Sequence, residues 1–272
     1  MIWSSAFSPM PSSTSSSKTE RAAAAAPGSS PMYGSRLRSL SAATVVTMIT
    51  GYALAAFYAP MDADQGFIQK IFYLHVPMAI VALCGFVFGG ICAVMHLRTD
   101  DSKWDLRAYV AIHISIILGV GVLLTGAIWA KASWGHWWVW DEPTLVSFLI
   151  IFLLYATYTP LRFSIEDREK QARYASVFAI TAGAFVPLNF IAVRSATSLV
   201  HPRTLSSTGN LPGDMALTFL VCTIGMIMLY VLLWQYEMAH KNTVAQLRSL
   251  KRKLAGDDGL RARRSAAPEL QV

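Results

Sequence analysis

Six long apolar segments constrain the fold of this chain more than any other feature of its sequence. Each has about the 20 residues that a helix needs to cross the hydrocarbon layer. Only 14% of all residues are charged, against roughly 25% in soluble domains. Because backbone groups in lipid must be satisfied within the chain, we predict an all-α polytopic membrane protein with six transmembrane helices: Leu40–Ala59, Leu74–Leu97, Ala108–Ala130, Thr144–Leu161, Tyr174–Val193 and Met215–Tyr236.

The distribution of Lys and Arg predicts the orientation of these six helices. An even number of spans places both termini on one side, and 19 of the 23 basic residues fall on that side. The positive-inside rule therefore predicts cytoplasmic termini and three outward loops, 60–73, 131–143 and 194–214. Membrane topology also explains the net charge of +7, so no nucleic-acid partner is expected. The four remaining basic residues lie on the outer side: Lys70, Lys131, Arg194 and Arg203.

Composition divides the chain into three parts. Residues 1–35 are rich in Ser and Ala, and such a segment buries too little apolar surface to fold, so we predict a disordered tail. Residues 36–240 form the six-helix membrane domain. Residues 241–272 are predicted to be a basic cytoplasmic tail that is attracted to anionic lipid headgroups. The three cysteines all lie in apolar segments without a CxxC pair, which indicates core residues rather than a disulfide framework or zinc site.

The second outward loop contains four tryptophans within seven residues. An interfacial aromatic belt would explain one or two indoles at a helix end. It does not require a glycine and a terminal acid among clustered indoles. The alternative is a flat apolar platform for a planar aromatic macrocycle, and we favour it over the belt. The loop reads Trp134-Gly135-His136-Trp137-Trp138-Val139-Trp140-Asp141.

Two histidines flank this loop in sequence and share its predicted side of the membrane. His75 begins the second apolar segment, with Pro77 in what we expect to be the first helical turn, and His201 lies in the third outward loop. Neutral imidazole is a common axial ligand of haem iron, so these two residues could bind one iron from opposite sides. His136 also faces outward and is the alternative ligand. The other three, at predicted cytoplasmic ends, are expected to have capping or interfacial roles: His96, His113 and His240.

The pattern Trp-Gly-x-x-Trp-x-Trp-Asp resembles the tryptophan-rich WWD signature of haem-handling cytochrome c biogenesis proteins. With six spans and a histidine on each side of the motif, residues 40–236 resemble the cytochrome c maturation protein C family (CcmC, haem exporter protein C). The resemblance implies non-covalent, b-type haem on the outer, periplasmic face of the bacterial inner membrane, presented for attachment to the haem chaperone CcmE. It further implies CcmD and the ABC transporter subunits CcmA and CcmB as partners.

The resemblance also implies roles for individual residues. His75 and His201 become the axial ligands. For the haem propionates we expect Arg203 first, then Arg194 and Lys131. Many relatives have Arg-Leu-Thr shortly after the motif's Asp, whereas this chain has Glu142-Pro143-Thr144; an acid there still suits a helix N-terminus. The platform then consists of Trp134, Gly135, Trp137, Trp138, Trp140 and Asp141.

Other functions remain open on the sequence. A haem-channel subunit of the other cytochrome c synthetase pathway shares a Trp-rich loop but usually has more spans. A b-type cytochrome-like electron-transfer subunit would hold paired histidines inside helices. The sequence contains no Ser/His/Asp set, P-loop or metal-hydrolase motif, so any ATPase would be a separate chain. The sequence is compatible with a haem-presenting subunit and with a haem-lyase-like subunit, and it does not distinguish an enzyme from a binding protein.

Overall fold

A computed structural model describes residues 34–201 and 211–266 of the chain. It divides into two compact units, Met1–Ser39 and Leu40–Val272. Within the first unit only residues 34–39 are described, and residues 35–39 are helical. The predicted disordered tail, residues 1–35, therefore lies almost wholly outside the described residues.

Seven α-helices build the described part of the chain, which contains no β-strand. A short π-helix, Leu54–Tyr58, continues α1, and a 3₁₀-helix, Phe67–Ile71, leads directly into α2. Helices α4 and α5 form one span between them, so six segments are long and apolar enough to cross a membrane. This confirms the predicted number of spans. The helices are α1 Ser35–Ala53, α2 Phe72–Thr99, α3 Ser102–Trp134, α4 Pro143–Ala156, α5 Tyr158–Phe163, α6 Arg168–Ser195 and α7 Gly213–Ala266.

One sequence-based expectation about a helix boundary was wrong. Pro77 lies in the second turn of α2 rather than the first, because the helix begins at Phe72. Its missing N–H therefore removes an interior hydrogen bond. The basic C-terminal segment is helical over its described length, since α7 runs without a break from Gly213 to Ala266. At 1.5 Å per residue this helix is roughly 80 Å long, far beyond the hydrocarbon thickness.

A packed aromatic core joins α2, α4 and α6. The rings of Phe86 and Tyr155 stack with centroids 3.8 Å apart, and the Tyr155 hydroxyl donates to the Phe86 carbonyl at 3.3 Å. Small residues of α6, including Ala175, Ala179 and Ala182, are buried in the same cluster. Small side chains let helices approach closely, which supports association of helices in lipid.

The two ends of the bundle are held by different contacts. The end that carries loops 60–66 and 135–142 is called here the Trp-loop end; there Lys70 donates to the carbonyls of Ala59 and Pro60. At the opposite end, Arg162 of α5 forms a two-pronged ion pair with Asp105 of α3, at 2.7 Å and 2.6 Å. Both side chains of this pair are largely buried. The pair therefore fixes α5 against α3.

Breaking the buried ion pair is expected to destabilise the bundle strongly. Arg162→Leu should lower the free energy of unfolding by about 3–5 kcal/mol, because it leaves the Asp105 carboxylate buried without its partner. The double variant Asp105→Leu/Arg162→Leu should recover part of this loss. Lys241→Ala is the control: it breaks the more exposed Lys241–Glu237 pair and should cost less than about 1 kcal/mol. Unfolding in detergent, followed by circular dichroism, measures all three; equal losses for Arg162→Leu and Lys241→Ala would contradict the expectation.

Candidate functional site

A large apolar cavity lies at the Trp-loop end, between α2, α3, α4 and α6. It extends along α2 from Phe72 to Leu83, which is roughly 17 Å of helix. Most of its lining side chains are aliphatic or aromatic. Those with polar or indole groups are Gln65, His75, Trp129, Trp134, Trp138, Thr144, Ser147, Asn189, Arg194 and His201. The two predicted ligands and two of the four clustered tryptophans thus share one cavity.

The imidazole of His75 is held in a defined orientation by α3. Its Nδ1 lies 2.9 Å from the Thr125 hydroxyl oxygen. That hydroxyl donates its own proton to the Gly121 carbonyl at 2.8 Å, so the oxygen accepts a hydrogen bond from Nδ1–H. The assignment leaves the lone pair on Nε2, the arrangement of a histidine prepared to bind a metal through that nitrogen. The Trp129 ring meets the imidazole edge-on, with centroids 5.8 Å apart.

Gly126 permits this close approach of α3 to the imidazole. A Cβ atom at position 126 would lie 2.9 Å from His75 Cε1, which is closer than carbon atoms pack. Glycine is otherwise unfavourable inside a helix, by about 1 kcal/mol relative to alanine. The residue therefore contributes space for the histidine rather than helix stability.

His201 reaches the cavity from a non-helical segment, residues 196–201, that follows α6. Its ring is half-buried and meets the Trp134 indole edge-on, with centroids 6.3 Å apart. The Ser198 hydroxyl donates to the His201 carbonyl at 2.6 Å and closes a turn. His75 and His201 therefore enter the cavity from α2 and from the segment after α6, respectively.

A fully buried carboxylate, Glu142, binds this turn from the start of α4. Its Oε2 atom accepts hydrogen bonds from the backbone N–H groups of Leu199, Val200 and His201, at 2.9, 2.9 and 3.2 Å. The other oxygen accepts from the Thr144 N–H at 3.4 Å. Burial alone would raise the pKa of the Glu142 carboxyl, but these N–H groups outweigh it and lower the pKa to about 2. The group is thus a carboxylate at neutral pH.

Sequence analysis missed the larger role of Glu142. It correctly expected an acid before Pro143 to begin a helix, since Glu142 is the N-cap of α4. It gave no sign of the contact with residues 199–201. Those residues are 57 to 59 positions away in sequence, and no local spacing rule connects such distant residues. The available signal in the sequence was an acid directly after the Trp-rich loop, in Asp141-Glu142-Pro143.

The Trp-rich loop divides into a buried part and an exposed part. Trp134 and Trp138 line the cavity, and the Trp138 indole nitrogen is buried without a hydrogen-bond partner. Trp137 and Trp140 lie outside the lining and are 60% and 71% exposed. Gly135 ends α3 with φ of +79°, a left-handed conformation that favours glycine. The exposed positions of the motif also include His136 and Asp141.

The predicted propionate contacts have different surroundings. Arg194 lines the cavity, with its guanidinium 5.4 Å from the Phe190 ring centroid. Lys131 instead donates to the Gly135 carbonyl at 2.8 Å and caps the end of α3. Arg203 lies outside the described residues. Of the two that are described, Arg194 is therefore the residue placed to meet a ligand in the cavity.

Comparison with known protein families identifies one match over most of the chain. The model of the family described as "Heme exporter protein C" matches residues 21–254. This range includes all six spans, the Trp-rich loop and both cavity histidines.

Individual relatives carry the same printed name. A "Heme exporter protein C" of Rhodobacter capsulatus is 34% identical over 148 residues, 54% of this chain and 61% of that protein. One from Bradyrhizobium diazoefficiens is 31% identical over 216 residues, 78% of this chain and 81% of that protein. One from Escherichia coli K12 is 30% identical over 149 residues, 55% of this chain and 60% of that protein. The match thus spans about three fifths of the first and third of these relatives.

The division of the Trp-rich loop predicts unequal effects of its tryptophans. Trp138→Ala removes an indole that lines the cavity. It should weaken the binding of haem to the purified protein by at least about tenfold, because a large aromatic contact area is lost. Trp140→Ala should have a smaller effect. Absorbance titration with haem in detergent measures both, with yield from the membrane as the control for insertion. A larger loss of haem affinity in Trp140→Ala than in Trp138→Ala would indicate that haem binds outside the cavity.

Proposed function

The chain belongs to the Heme exporter protein C family, as its Trp-rich motif predicted, and we propose that it binds haem in the cavity at the Trp-loop end. In this proposal it is a membrane subunit of cytochrome c maturation that presents haem for attachment to the chaperone CcmE. The observation that carries the proposal is the meeting of His75, His201, Trp134 and Trp138 in one apolar cavity.

The chemistry of the lining fits haem bound without a covalent bond. Bound haem would supply an iron with two axial positions for nitrogen ligands. His75 offers Nε2 from a rigid helix, because Thr125 fixes its other nitrogen, and His201 offers its imidazole from the segment after α6. The indoles of Trp134 and Trp138 exclude water from the ring. The unpartnered Trp138 N–H and the Arg194 guanidinium are donors suited to the propionates.

The outer face of the membrane is the proposed location of this cavity. The distribution of Lys and Arg supports it, since 19 of 23 lie on the side of the termini and such residues concentrate on the cytoplasmic side. An outer location in the bacterial inner membrane would give the chaperone direct access. CcmD, CcmA and CcmB are the further proposed partners, and the exposed Trp137 and Trp140 are available to contact lipid or partners.

An electron-transfer role has less support from the site. Cytochrome b-like subunits would hold both ligands on helices within the bundle, whereas His201 lies in a non-helical segment. Six spans likewise favour the maturation subunit over the longer haem-channel protein. The haem-presenting role is therefore favoured over electron transfer and over the haem-channel role.

The ligand pair predicts a definite spectroscopic result. Haem-loaded wild-type protein should show the low-spin spectrum of two axial histidines. His75→Ala or His201→Ala should shift it to a high-spin, five-coordinate form or empty the site, and free imidazole should partly restore the low-spin form. His136→Ala serves as the control because His136 is exposed and outside the cavity lining. Loss of the low-spin signal in His136→Ala, with both other variants unchanged, would refute the ligand pair.

The orientation of the chain can be tested independently of haem. In a background lacking Cys84, Cys92 and Cys222, single cysteines replace two exposed loop acids, Asp64 and Glu166. A membrane-impermeant thiol reagent should label position 64 in intact cells stripped of their outer membrane, and position 166 only after permeabilisation. The opposite pattern would place the cavity on the cytoplasmic side and would exclude presentation of haem outside.

A further inference from the structure

The turn that carries His201 depends on hydrogen bonds from outside its own segment. Residues 196–201 are not helical, so the backbone N–H groups of Leu199, Val200 and His201 have no intrahelical acceptors. All three donate to one oxygen of Glu142. Consecutive N–H groups that converge in this way form an anion-binding nest. Here the anion is a side chain of the same protein, supplied from the start of α4.

The other acidic helix caps show which contacts of Glu142 belong to capping and which do not. Asp101 and Asp167 begin α3 and α6, and each accepts from an N–H of its own helix at 2.9 Å. Glu142 makes only a 3.4 Å bond to its own helix, and its shorter bonds all go to residues 199–201. A carboxylate without hydrogen bonds is costly to bury, and helix capping does not require burial. The contact with the turn is therefore the reason for a buried acid here.

We propose that Glu142 is the positioning residue for His201: its carboxylate holds the 198–201 turn so that the imidazole lies against Trp134 and faces the cavity. The proposal rests on the haem-binding function proposed above. Glu142 touches the backbone of the ligand turn and acts through His201. Without its carboxylate, the three N–H groups lose their shared acceptor and the turn loses its fixed distance from α4.

The same geometry excludes one alternative for the nest. A turn with three convergent N–H groups beside a haem cavity would otherwise suit a propionate. Glu142 already occupies it with a negative charge, and a second anion would be repelled. The propionates must therefore find donors elsewhere in the cavity, such as Arg194.

The first test needs no haem. Glu142→Gln keeps the size of the side chain but removes its charge, and it replaces one of the two acceptor oxygens with an amide NH2 group, which cannot accept a hydrogen bond from a backbone N–H. Hydrogen–deuterium exchange of the peptide that contains residues 198–201, measured in the haem-free protein, should accelerate by roughly tenfold. Asp167→Asn is the matched control: it neutralises an acidic cap at the opposite end of the bundle and should leave exchange in this peptide unchanged. Unchanged exchange in Glu142→Gln would overturn the proposal.

The second test asks whether the effect reaches the iron through His201. In haem-loaded Glu142→Gln, part of the low-spin signal should convert to the high-spin form, and free imidazole should restore it. The double variant Glu142→Gln/His201→Ala should look like His201→Ala alone, since a residue that acts through another adds nothing once that other is gone. A double variant clearly worse than His201→Ala would overturn the proposal. If Glu142→Gln does not fold, Glu142→Asp retains the charge at a shorter reach and should give an intermediate exchange rate.

These outcomes distinguish the positioning role from the proposed function. Wild-type protein without a low-spin signal would refute the ligand pair, whatever the exchange result. A low-spin wild type that becomes high-spin in His201→Ala but stays unchanged in Glu142→Gln would refute the positioning role and leave the function standing.

Discussion

The absence of water in the hydrocarbon layer governs most of this structure. Backbone polar groups there must find partners within the protein, and the six apolar segments meet this requirement as helices. The segment after α6 lies outside the six spans and finds its hydrogen-bond partners differently. There the chain leaves α6 as a non-helical segment, and Glu142 supplies the acceptor that three consecutive N–H groups lack. Backbone groups are thus paired by helical hydrogen bonds within the spans and by one buried carboxylate in the loops beyond them.

The two cavity histidines are held by unlike means. His75 belongs to a helix, is packed against Trp129, and has one nitrogen fixed by Thr125. His201 belongs to a short turn whose position depends on a carboxylate and the serine hydroxyl of Ser198. Helical positions hold a site more precisely than loops do, so an added anchor is needed for His201 and not for His75. This difference gives Glu142 its importance.

Sequence analysis predicted what depends on local pattern and on family resemblance. Long apolar segments predicted the six spans, and the motif with its flanking histidines indicated His75, His201, Trp134 and Trp138, which the structure brings to one cavity. Contacts between distant residues carried no such pattern. The Thr125–His75 bond joins residues 50 positions apart, and the exposure of Trp137 and Trp140 depends on how the loop folds over the cavity. The apolar pattern ended the sixth span at Tyr236, but it does not fix where a helix ends, and α7 continues to Ala266.

The position of the iron decides whether the cavity at the Trp-loop end is the haem site. Anomalous diffraction at the iron absorption edge, from crystals of the haem-loaded protein, locates the metal without assuming any ligand. If the cavity is the haem site, a single iron peak should appear inside it, within bonding distance of one ring nitrogen of His75 and one of His201. A peak beside His136 at the exposed surface of the Trp-rich loop, or at the opposite end of the bundle, would contradict it.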